Sequence, residues 1–244
     1  MTAQNKLVAA VIVAAACAIN PAGAVADPII PNANFSLGYS GFSSSYGYLP
    51  YPAVESPRLL YPEGVFTVGS NPGFVHDRWA DFGDHTTGDG LMMIVNGTRT
   101  TDMLVWSTSV AVDPYTQYDF SAWAASAFWR NPSSLAFSIN GTVLDSPLLL
   151  PSETGAWRQF AAGWYSGDAT TAVLSLVNGS TEWNGNDFAL DDFALSPVPQ
   201  ISHRRIDPED PPAPVPEPAS MILFGTGLFG LARYMKRRNR NEAS

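Results

Sequence analysis

Two imidazoles and three carboxylates are concentrated in one short segment, VHDRWADFGDH, between Val75 and His85. Groups of these types can bind zinc or a catalytic metal ion. However, His76 and His85 lie nine positions apart without a helical period that would bring them together, and no activating glutamate motif accompanies them. The spacing therefore favours a structural loop, in which these side chains form hydrogen bonds, over a metal site.

Two adjacent carboxylates, Asp191 and Asp192, fall within the segment that is predicted to form the last strand. Because neighbouring strand residues point to opposite faces of a sheet, we expect that the pair cannot act jointly as acid and base on one substrate. The same alternation places Asp191 on the face of Phe193 and Leu195. A carboxylate on a core face is costly unless it is paired, hydrogen-bonded or bound to a metal. Asp191 is therefore either a hydrogen-bonded aspartate or a ligand of an oxygen-rich cation site, to which Asp187 or backbone carbonyls would add ligands.

The seven tryptophans are the other residues with a chemical use, because an indole face can cover the C–H face of a pyranose. Four of them fall within predicted strands, where burial in the core is the expected role: Trp106, Trp123, Trp157 and Trp164. The remaining three lie in predicted loops and are the candidate ligand contacts: Trp79, Trp129 and Trp183.

The elements that position these residues are predicted to be strands. Segments rich in β-branched and aromatic residues recur between turn signals, at 91–95, 103–112, 117–128, 135–139, 142–149, 157–165, 172–177 and 188–195. Three Asn-Gly steps follow apolar strands and suit two-residue turns, most clearly Asn140-Gly141 in LAFSI-NG-TVL. Many short strands without helical alternation predict an all-β fold, an antiparallel β-sandwich or jelly roll, over residues 27–196.

Charge and cysteine content narrow the classes of function. Between residues 27 and 196 five arginines and no lysine face seventeen carboxylates, a net charge of −12. This balance excludes a nucleic-acid partner, which needs a basic surface, and it suits neutral glycans or divalent cations. The one cysteine, Cys17, lies in the apolar N-terminal stretch, so the expected mature chain has no thiol.

Both termini carry predicted targeting segments. Residues 1–26 read as a signal peptide for the Sec export machinery, with Lys6, an apolar run and an A-x-A cleavage site at Ala24 and Ala26. A proline-rich linker is predicted at 197–214, because the pyrrolidine rings of its prolines favour an extended backbone that acts as a spacer. A short apolar stretch at 219–235 is predicted to cross the inner membrane, and basic residues at 233–240 would keep that end cytoplasmic.

The segment at 215–240 resembles the PEP-CTERM sorting signal of Gram-negative bacteria. The resemblance rests on Val215, Pro216, Glu217 and Pro218, followed in order by the apolar stretch and the basic tail. It implies recognition by exosortase, a membrane protease-transpeptidase, and delivery to the cell surface or an exopolysaccharide matrix. An ordinary tail anchor predicts the same topology without cleavage.

The central region resembles carbohydrate-binding modules and other galactose-binding-like jelly rolls. The opening NANFSLGYSGFSSSYGY is similar to their first segment, and DFALDDFAL is similar to their final strand. The resemblance implies a structural Ca²⁺ at Asp191, although Ser36 stands where the family has a glutamate ligand. No cofactor is otherwise expected.

These features together predict a non-catalytic exported protein of the surface or matrix, whose sandwich binds extracellular polysaccharide. The sequence contains none of the G-x-S-x-G, H-E-x-x-H or phosphate-cradling patterns, and so no catalytic residue is predicted. The alternatives are a purely structural or adhesive surface protein without a specific ligand and a secreted polysaccharide-acting enzyme.

Overall fold

The regular secondary structure of the described part of the protein is almost wholly β-strand. A computed structural model describes residues 29–54 and 58–199. The predicted signal peptide, most of the linker, and the sorting and apolar segments lie outside these residues. Within them no helix is long and apolar enough to span a membrane. In chain order the elements are β1 (Gly47–Tyr48), α1 (Tyr51–Val54), β2 (Val65–Gly69), α2 (Pro72–Val75), β3 (Met92–Asn96), β4 (Leu104–Ala111), β5 (Gln117–Ser126), β6 (Ser134–Ile139), β7 (Thr142–Val143), β8 (Leu148–Leu149), β9 (Arg158–Tyr165), β10 (Thr171–Asn178) and β11 (Phe188–Pro197).

The strands form two sheets. One sheet has the order β1-β2-β3-β11-β5-β9, and the other has the order β4-β10-β6-β7 with β8 also paired to β6. Every pairing is antiparallel except that of β1 with β2. The last strand therefore lies at the centre of the larger sheet, between β3 and β5. The predicted antiparallel β-sandwich is confirmed.

The main core lies between the two sheets. On β5 the buried Tyr118, Phe120, Ala122 and Ala124 alternate with less buried residues, as a sheet with one core face requires. Aromatic rings join the layers: Phe120 and Phe160 of the larger sheet pack against Phe137 of the smaller sheet. Burying one such side chain contributes about 1.5–3 kcal/mol, so this layer carries much of the stability.

A second, smaller core covers the outer face of the larger sheet. All five residues of β3 are buried, because Met92 and Ile94 pack under the segment that carries Leu60, Val75 and Trp79. Strands that are buried on both faces read as continuous apolar runs. The segment that covers this outer face also supplies part of the candidate site.

Of the three Asn-Gly steps, only Asn140-Gly141 forms the predicted two-residue hairpin. Both residues have positive φ, +50° and +77°, and Ile139 pairs with Thr142 across the turn. The Asn96-Gly97 step instead ends β3, and the Gly97 amide donates to the Asp187 carboxylate. The Asn178-Gly179 step ends β10, and the Gly179 amide donates to Ser134.

Two other strand predictions need correction. The predicted strand at 142–149 is two short strands, β7 and β8, separated by the segment 144–147. The sequence prediction also missed β2, the buried run Val65–Gly69. This strand is short and has no polar alternation, because both of its faces are covered.

Two glycines are expected to be required for different reasons, Gly97 for close packing and Gly141 for the conformation of its turn. An added Cβ at Gly97 would collide with Asn186 Oδ1, whereas one at Gly141 meets nothing within 4 Å but sits at positive φ. We expect Gly141→Ala to cost about 1 kcal/mol of unfolding free energy and Gly97→Ala clearly more. Urea unfolding measures both, and equal costs would contradict the close approach of Asn186 to Gly97.

Candidate functional site

A cleft of about 440 Å³ opens at one end of the larger sheet. Its walls include the segments that precede β2, follow β3 and precede β11. The ends of these three strands are neighbours in the sheet, because Val65 pairs with Asn96 and Phe188 pairs with Val95. The volume lies within the range of roughly 300–1,000 Å³ that is usual for small-molecule sites. The cleft is therefore large enough for a ligand of the size of a few sugar rings or smaller.

The cleft has an aromatic wall and an aromatic rim. The Trp79 indole is buried and stacks on the His76 ring, with centroids 4.3 Å apart and an interplanar angle of 12°. Tyr61 also packs against His76, at 4.5 Å between centroids and an interplanar angle of 44°. Trp183 lies on the rim with 64% of its surface exposed. Two of the three tryptophans predicted as ligand contacts thus line one cleft, although they are far apart in the sequence.

The third predicted contact, Trp129, lies outside the lining of the cleft. It is 54% exposed, and the Arg130 guanidinium sits 4.5 Å above its ring. Asn131, two residues further along the chain, donates a hydrogen bond to the Asn184 carbonyl in the segment that bears Trp183. Trp129 is therefore an exposed indole near the cleft, and it provides a natural comparison for Trp183.

A buried carboxylate forms the polar part of the wall. Asp187 accepts hydrogen bonds from Trp79 Nε1 and from the Gly97 amide, both at 3.2 Å. Loss of solvation raises the pKa of Asp187 to about 7, more than these two donors lower it. Burial also lowers the pKa of His76 to about 4, so that the imidazole is neutral at pH 7. The inner wall of the cleft therefore carries little charge near neutral pH.

The mouth of the cleft carries most of its charged groups. Arg78 and Arg99 are exposed, and the Arg78 guanidinium lies 5.1 Å above the Phe128 ring. Glu63 lies on the same lining, and desolvation raises the pKa of its carboxyl group while Arg99 partly opposes that rise. Glu63 and Arg99 were not singled out from the sequence, and Asp187 was named only as a further ligand of a cation site at Asp191. Only the pairing of the strand ends brings the three together.

Asp191 and Asp192 form a separate cluster on the outer face of the larger sheet. The pairing of β11 with β5 shifts register between Asp191 and Ala194, and Asp192 has φ +47°, so a bulge interrupts the alternation. Both carboxylates accept from the Thr86 hydroxyl, at 3.2 Å and 2.7 Å. The predictions that the pair diverges and that Asp191 shares the face of Phe193 and Leu195 are therefore wrong.

This cluster fastens the segment that covers the sheet. The amides of His85 and Thr86 donate to Asp191, and His85 Nδ1 lies 2.7 Å from Asp192 Oδ2. The His85 ring stacks on Trp123, with centroids 3.9 Å apart. Burial, with a further contribution from the Asp192 charge, raises the pKa of Asp191 to about 6. The arrangement is that of an anchor for the loop, built on hydrogen bonds and stacking.

The surroundings of Asp191 do not fit the Ca²⁺ that the family resemblance implies. One of its oxygens accepts from His85 and Thr86, and the other accepts from the Asp192 amide. Amide N–H groups that point at a carboxylate occupy the positions that a cation would take. Ser36, at the position of the family's glutamate ligand, is exposed. Calcium at Asp191 thus remains a prediction without support from this donor set.

The two histidines of the 75–85 segment lie in different places. His76 stacks on Trp79 in the cleft, whereas His85 stacks on Trp123 beside the bulge. Among the residues that the structure describes, no three His, Cys, Asp or Glu side chains are grouped as metal ligands. The described geometry assigns the two imidazoles to two packing sites.

Four tryptophans expected in the core show different degrees of burial. Trp106 is buried and stacks on Phe193 at 4.0 Å between centroids. The other three are only partly buried, and Trp157 immediately precedes β9. Trp157 Nε1 donates to the Gly83 carbonyl, so this indole supports the covering segment from outside the main core.

Comparison with protein families identifies a PEP-CTERM protein-sorting motif at residues 214–238. The match includes Val215, Pro216, Glu217 and Pro218, and it confirms the prediction made for this segment. The motif marks the chain as an exported protein that is sorted through exosortase at the membrane. The comparison with curated protein sequences gives no match.

The described sandwich resembles solved structures of carbohydrate-binding modules, as predicted. One is TmCBM61 in complex with beta-1,4-galactotriose, at 14% identity and a TM-score of 0.44 over 70% of this chain and 99% of that one. Another is the CBM22-1 xylan-binding domain from Paenibacillus barcinonensis Xyn10C, at 14% identity and a TM-score of 0.42 over 68% and 91%. At these values the likenesses carry no argument about what this chain binds.

Replacement of Asp187 tests its burial in the cleft wall. A folded pKa of about 7, above the ordinary 3.8, means that its contribution to stability is complete below pH 4 and is lost as the pH rises through 7. The wild type therefore loses unfolding free energy between pH 4 and pH 8, whereas Asp187→Asn does not lose this contribution. We expect the difference in unfolding free energy to shift in favour of Asp187→Asn by a few kcal/mol over this range, since each unit of pKa shift corresponds to about 1.4 kcal/mol. His76 contributes the opposite slope in both proteins, which cancels in the difference. Urea unfolding over this range checks the shift, with the exposed Asp119→Asn as control, and parallel curves for Asp187→Asn and wild type would contradict it.

Chelation tests whether protein hydrogen bonds or a bound cation stabilise the buried Asp191 carboxylate. Because amide and hydroxyl donors surround its carboxylate, we expect EDTA to leave the melting temperature of the wild type unchanged. Asp191→Ala removes the acceptor of three backbone amides and is expected to cost at least about 2 kcal/mol, whereas the exposed Asp89→Ala costs little. A fall of several degrees on chelation would restore a cation at this position.

Proposed function

We propose that this chain is a non-catalytic exported protein of the cell surface or its matrix, and that its sandwich binds carbohydrate in the cleft at the end of the larger sheet. The observation that carries the proposal is the meeting of exposed Trp183 with Tyr61 and the Trp79 wall around one concave site. The sorting motif supports the location, since it marks an exported protein.

The chemistry of the cleft suits a sugar. A pyranose has an apolar C–H face and a ring of hydroxyls, so it needs a flat aromatic surface beside groups that exchange hydrogen bonds. Trp183 and Tyr61 offer partly exposed rings, 64% and 45% exposed. Glu63, Arg99 and Asn184 line the same space and supply acceptors and donors. A cleft with both kinds of group binds a polyol better than a purely apolar ligand.

A hydrolase is the second candidate, because two carboxylates, Glu63 and Asp187, line the cleft. Asp187 has a raised pKa, as a general acid requires, and the Glu63 charge contributes to that rise. Both oxygens of Asp187 already accept hydrogen bonds from the protein, which favours a structural role. Cleavage of a bound glycan by the wild type but not by Glu63→Gln would establish the enzyme instead.

The segments outside the described residues complete the proposal. Cleavage after Ala26 would release the mature chain from the Sec export machinery, and residues 219–235 would hold it in the inner membrane with a cytoplasmic tail. The proline-rich stretch 197–214 would keep the sandwich clear of the bilayer as an extended spacer. Exosortase would then process the 215–218 motif and pass the protein to the surface or the exopolysaccharide. Without a specific ligand, the same route would yield a structural or adhesive protein.

Two exposed tryptophans provide a matched test of the binding site. The full chain is screened on a glycan array, and the tightest ligand is titrated into wild type, Trp183→Ala and Trp129→Ala. We expect Trp183→Ala to weaken binding at least about tenfold, which corresponds to about 1.4 kcal/mol, because it removes the rim of the cleft. Trp129→Ala, a similarly exposed indole outside the lining, is expected to change affinity by less than about threefold. Equal losses, or no glycan bound at all, would contradict the site.

Mass spectrometry of the surface-exposed protein tests the sorting step. If exosortase processes the chain, the mature C-terminus lies upstream of Arg233, and the basic tail at 233–244 is missing. Replacement of Glu217 within the motif is expected to leave the uncleaved chain in the inner membrane. Recovery of an intact tail on wild-type protein at the surface would show that the segment is an ordinary anchor.

A further inference from the structure

Arginines are unevenly distributed on this acidic sandwich. Residues 27–196 contain only five of them against seventeen carboxylates. Two of the five, Arg78 and Arg99, line the cleft, and Arg130 follows Trp129 beside it. Three of the five arginines of a domain with a net charge of −12 therefore lie in or beside the aromatic cleft.

Neither guanidinium in the cleft is neutralised by a partner within the described residues. The Arg78 and Arg99 side chains donate no hydrogen bond, and neither lies within 4 Å of a carboxylate oxygen. Arg78 is instead held over the Phe128 ring at 5.1 Å, which orients its planar group while leaving its N–H donors free. The donors are thus available to a ligand.

The acidic groups of the cleft oppose these two charges only in part. Burial raises the pKa of Asp187 to about 7, so this carboxyl group is about half protonated at neutral pH. Desolvation also raises the pKa of Glu63, although Arg99 acts against the rise. Arginine stays charged at any physiological pH. Among the lining residues, the two arginines therefore exceed the charge of Glu63 and the half-ionised Asp187 at and below neutral pH. Two further carboxylates lie beside the lining: Asp77, which accepts from the Tyr61 hydroxyl, and Glu182, which precedes Trp183.

We propose that the cleft selects glycans whose sugar rings bear an anionic group, a carboxylate or a sulfate ester, which Arg78 and Arg99 bind while Trp183 covers the ring. The proposal rests on the function proposed above and names the class of its ligand. A guanidinium binds a carboxylate or sulfate through two parallel N–H donors, a geometry that neutral hydroxyls do not exploit. This ligand class differs from the neutral glycans that the overall charge favours. Two arginines that line one cleft act directly on a ligand bound there, whereas the field of exposed carboxylates elsewhere on the domain is screened beyond about 8–10 Å.

The experiment compares three ligands of equal length with the full chain by isothermal titration calorimetry. They are an oligogalacturonate, its carboxyl-reduced neutral form and a sulfated oligogalactose. We expect wild type to bind at least one of the two anionic ligands about tenfold or more tightly than the neutral form. The anionic ligand that binds more tightly identifies the group as a carboxylate or a sulfate.

Variants of the arginines test whether the preference for anionic ligands comes from the cleft. Arg78→Gln and Arg99→Gln are expected to reduce the preference several-fold each, and the double variant is expected to bind anionic and neutral ligands alike. Arg158→Gln on β9 is the matched control, since this exposed arginine is not in the lining, and it should keep the preference. All three substituted side chains are exposed, so circular dichroism should show unchanged folds.

The outcomes separate this inference from the function on which it rests. Wild type that binds the neutral form as tightly as both anionic ligands overturns the selection for anionic sugars and leaves carbohydrate binding standing. Loss of the preference in Arg158→Gln, or its survival in the double variant, overturns the assignment to Arg78 and Arg99. Binding of none of the three ligands, together with a glycan array without signal, overturns both proposals.

Discussion

The carboxylate of Asp187 is the contact on which the cleft depends. It accepts from the Trp79 indole and from the Gly97 amide, and so it joins the segment over the outer face, the end of β3 and the start of β11. Each of these three segments contributes to the walls. Because the group is buried, its charge is costly and its pKa is raised to about 7, and the two hydrogen bonds offset that cost only in part.

A second anchor fixes the far end of the covering segment. The bulge at Asp191 and Asp192 turns both carboxylates towards His85 and Thr86, and the His85 ring stacks on Trp123. The segment is thus held at Trp79 on one side and at His85 on the other. Trp79, with Leu60 and Val75, buries the outer face of β3, and Phe82 between the two anchors packs against the same cluster. The aromatic wall of the cleft is thus held at two separate points.

The sequence predicted the repeating elements of the fold better than the site. Alternation on β5 and the Asn140-Gly141 turn follow from local rules of spacing and φ, and both are present. The bulge at Asp191 could not be predicted, because the apolar pattern continues through Phe193 and gives no sign of the slipped register. Strand β2 was missed since burial on both faces removes its alternation.

The site itself depends on contacts between distant parts of the chain. Trp79 and Trp183 were both predicted as ligand contacts from their loop positions, but nothing local indicated that they share a cleft, or that Trp129 lies outside it. Glu63 and Arg99 were not selected at all, because each is an ordinary charged residue beside a turn. Only the neighbouring positions of β2, β3 and β11 in the sheet bring these groups together.

The most direct test of carbohydrate binding in the cleft is an NMR titration of the indole N–H signals of the seven tryptophans in the full chain. With a glycan that the chain binds, we predict shifts at Trp183 and at Trp79, whose Nε1 donates to Asp187. The signals of Trp106 in the core and Trp164 on β9 should stay in place. Shifts confined to Trp123 and Trp157, or absent from Trp79 and Trp183 at saturation, would place the ligand elsewhere and contradict the account.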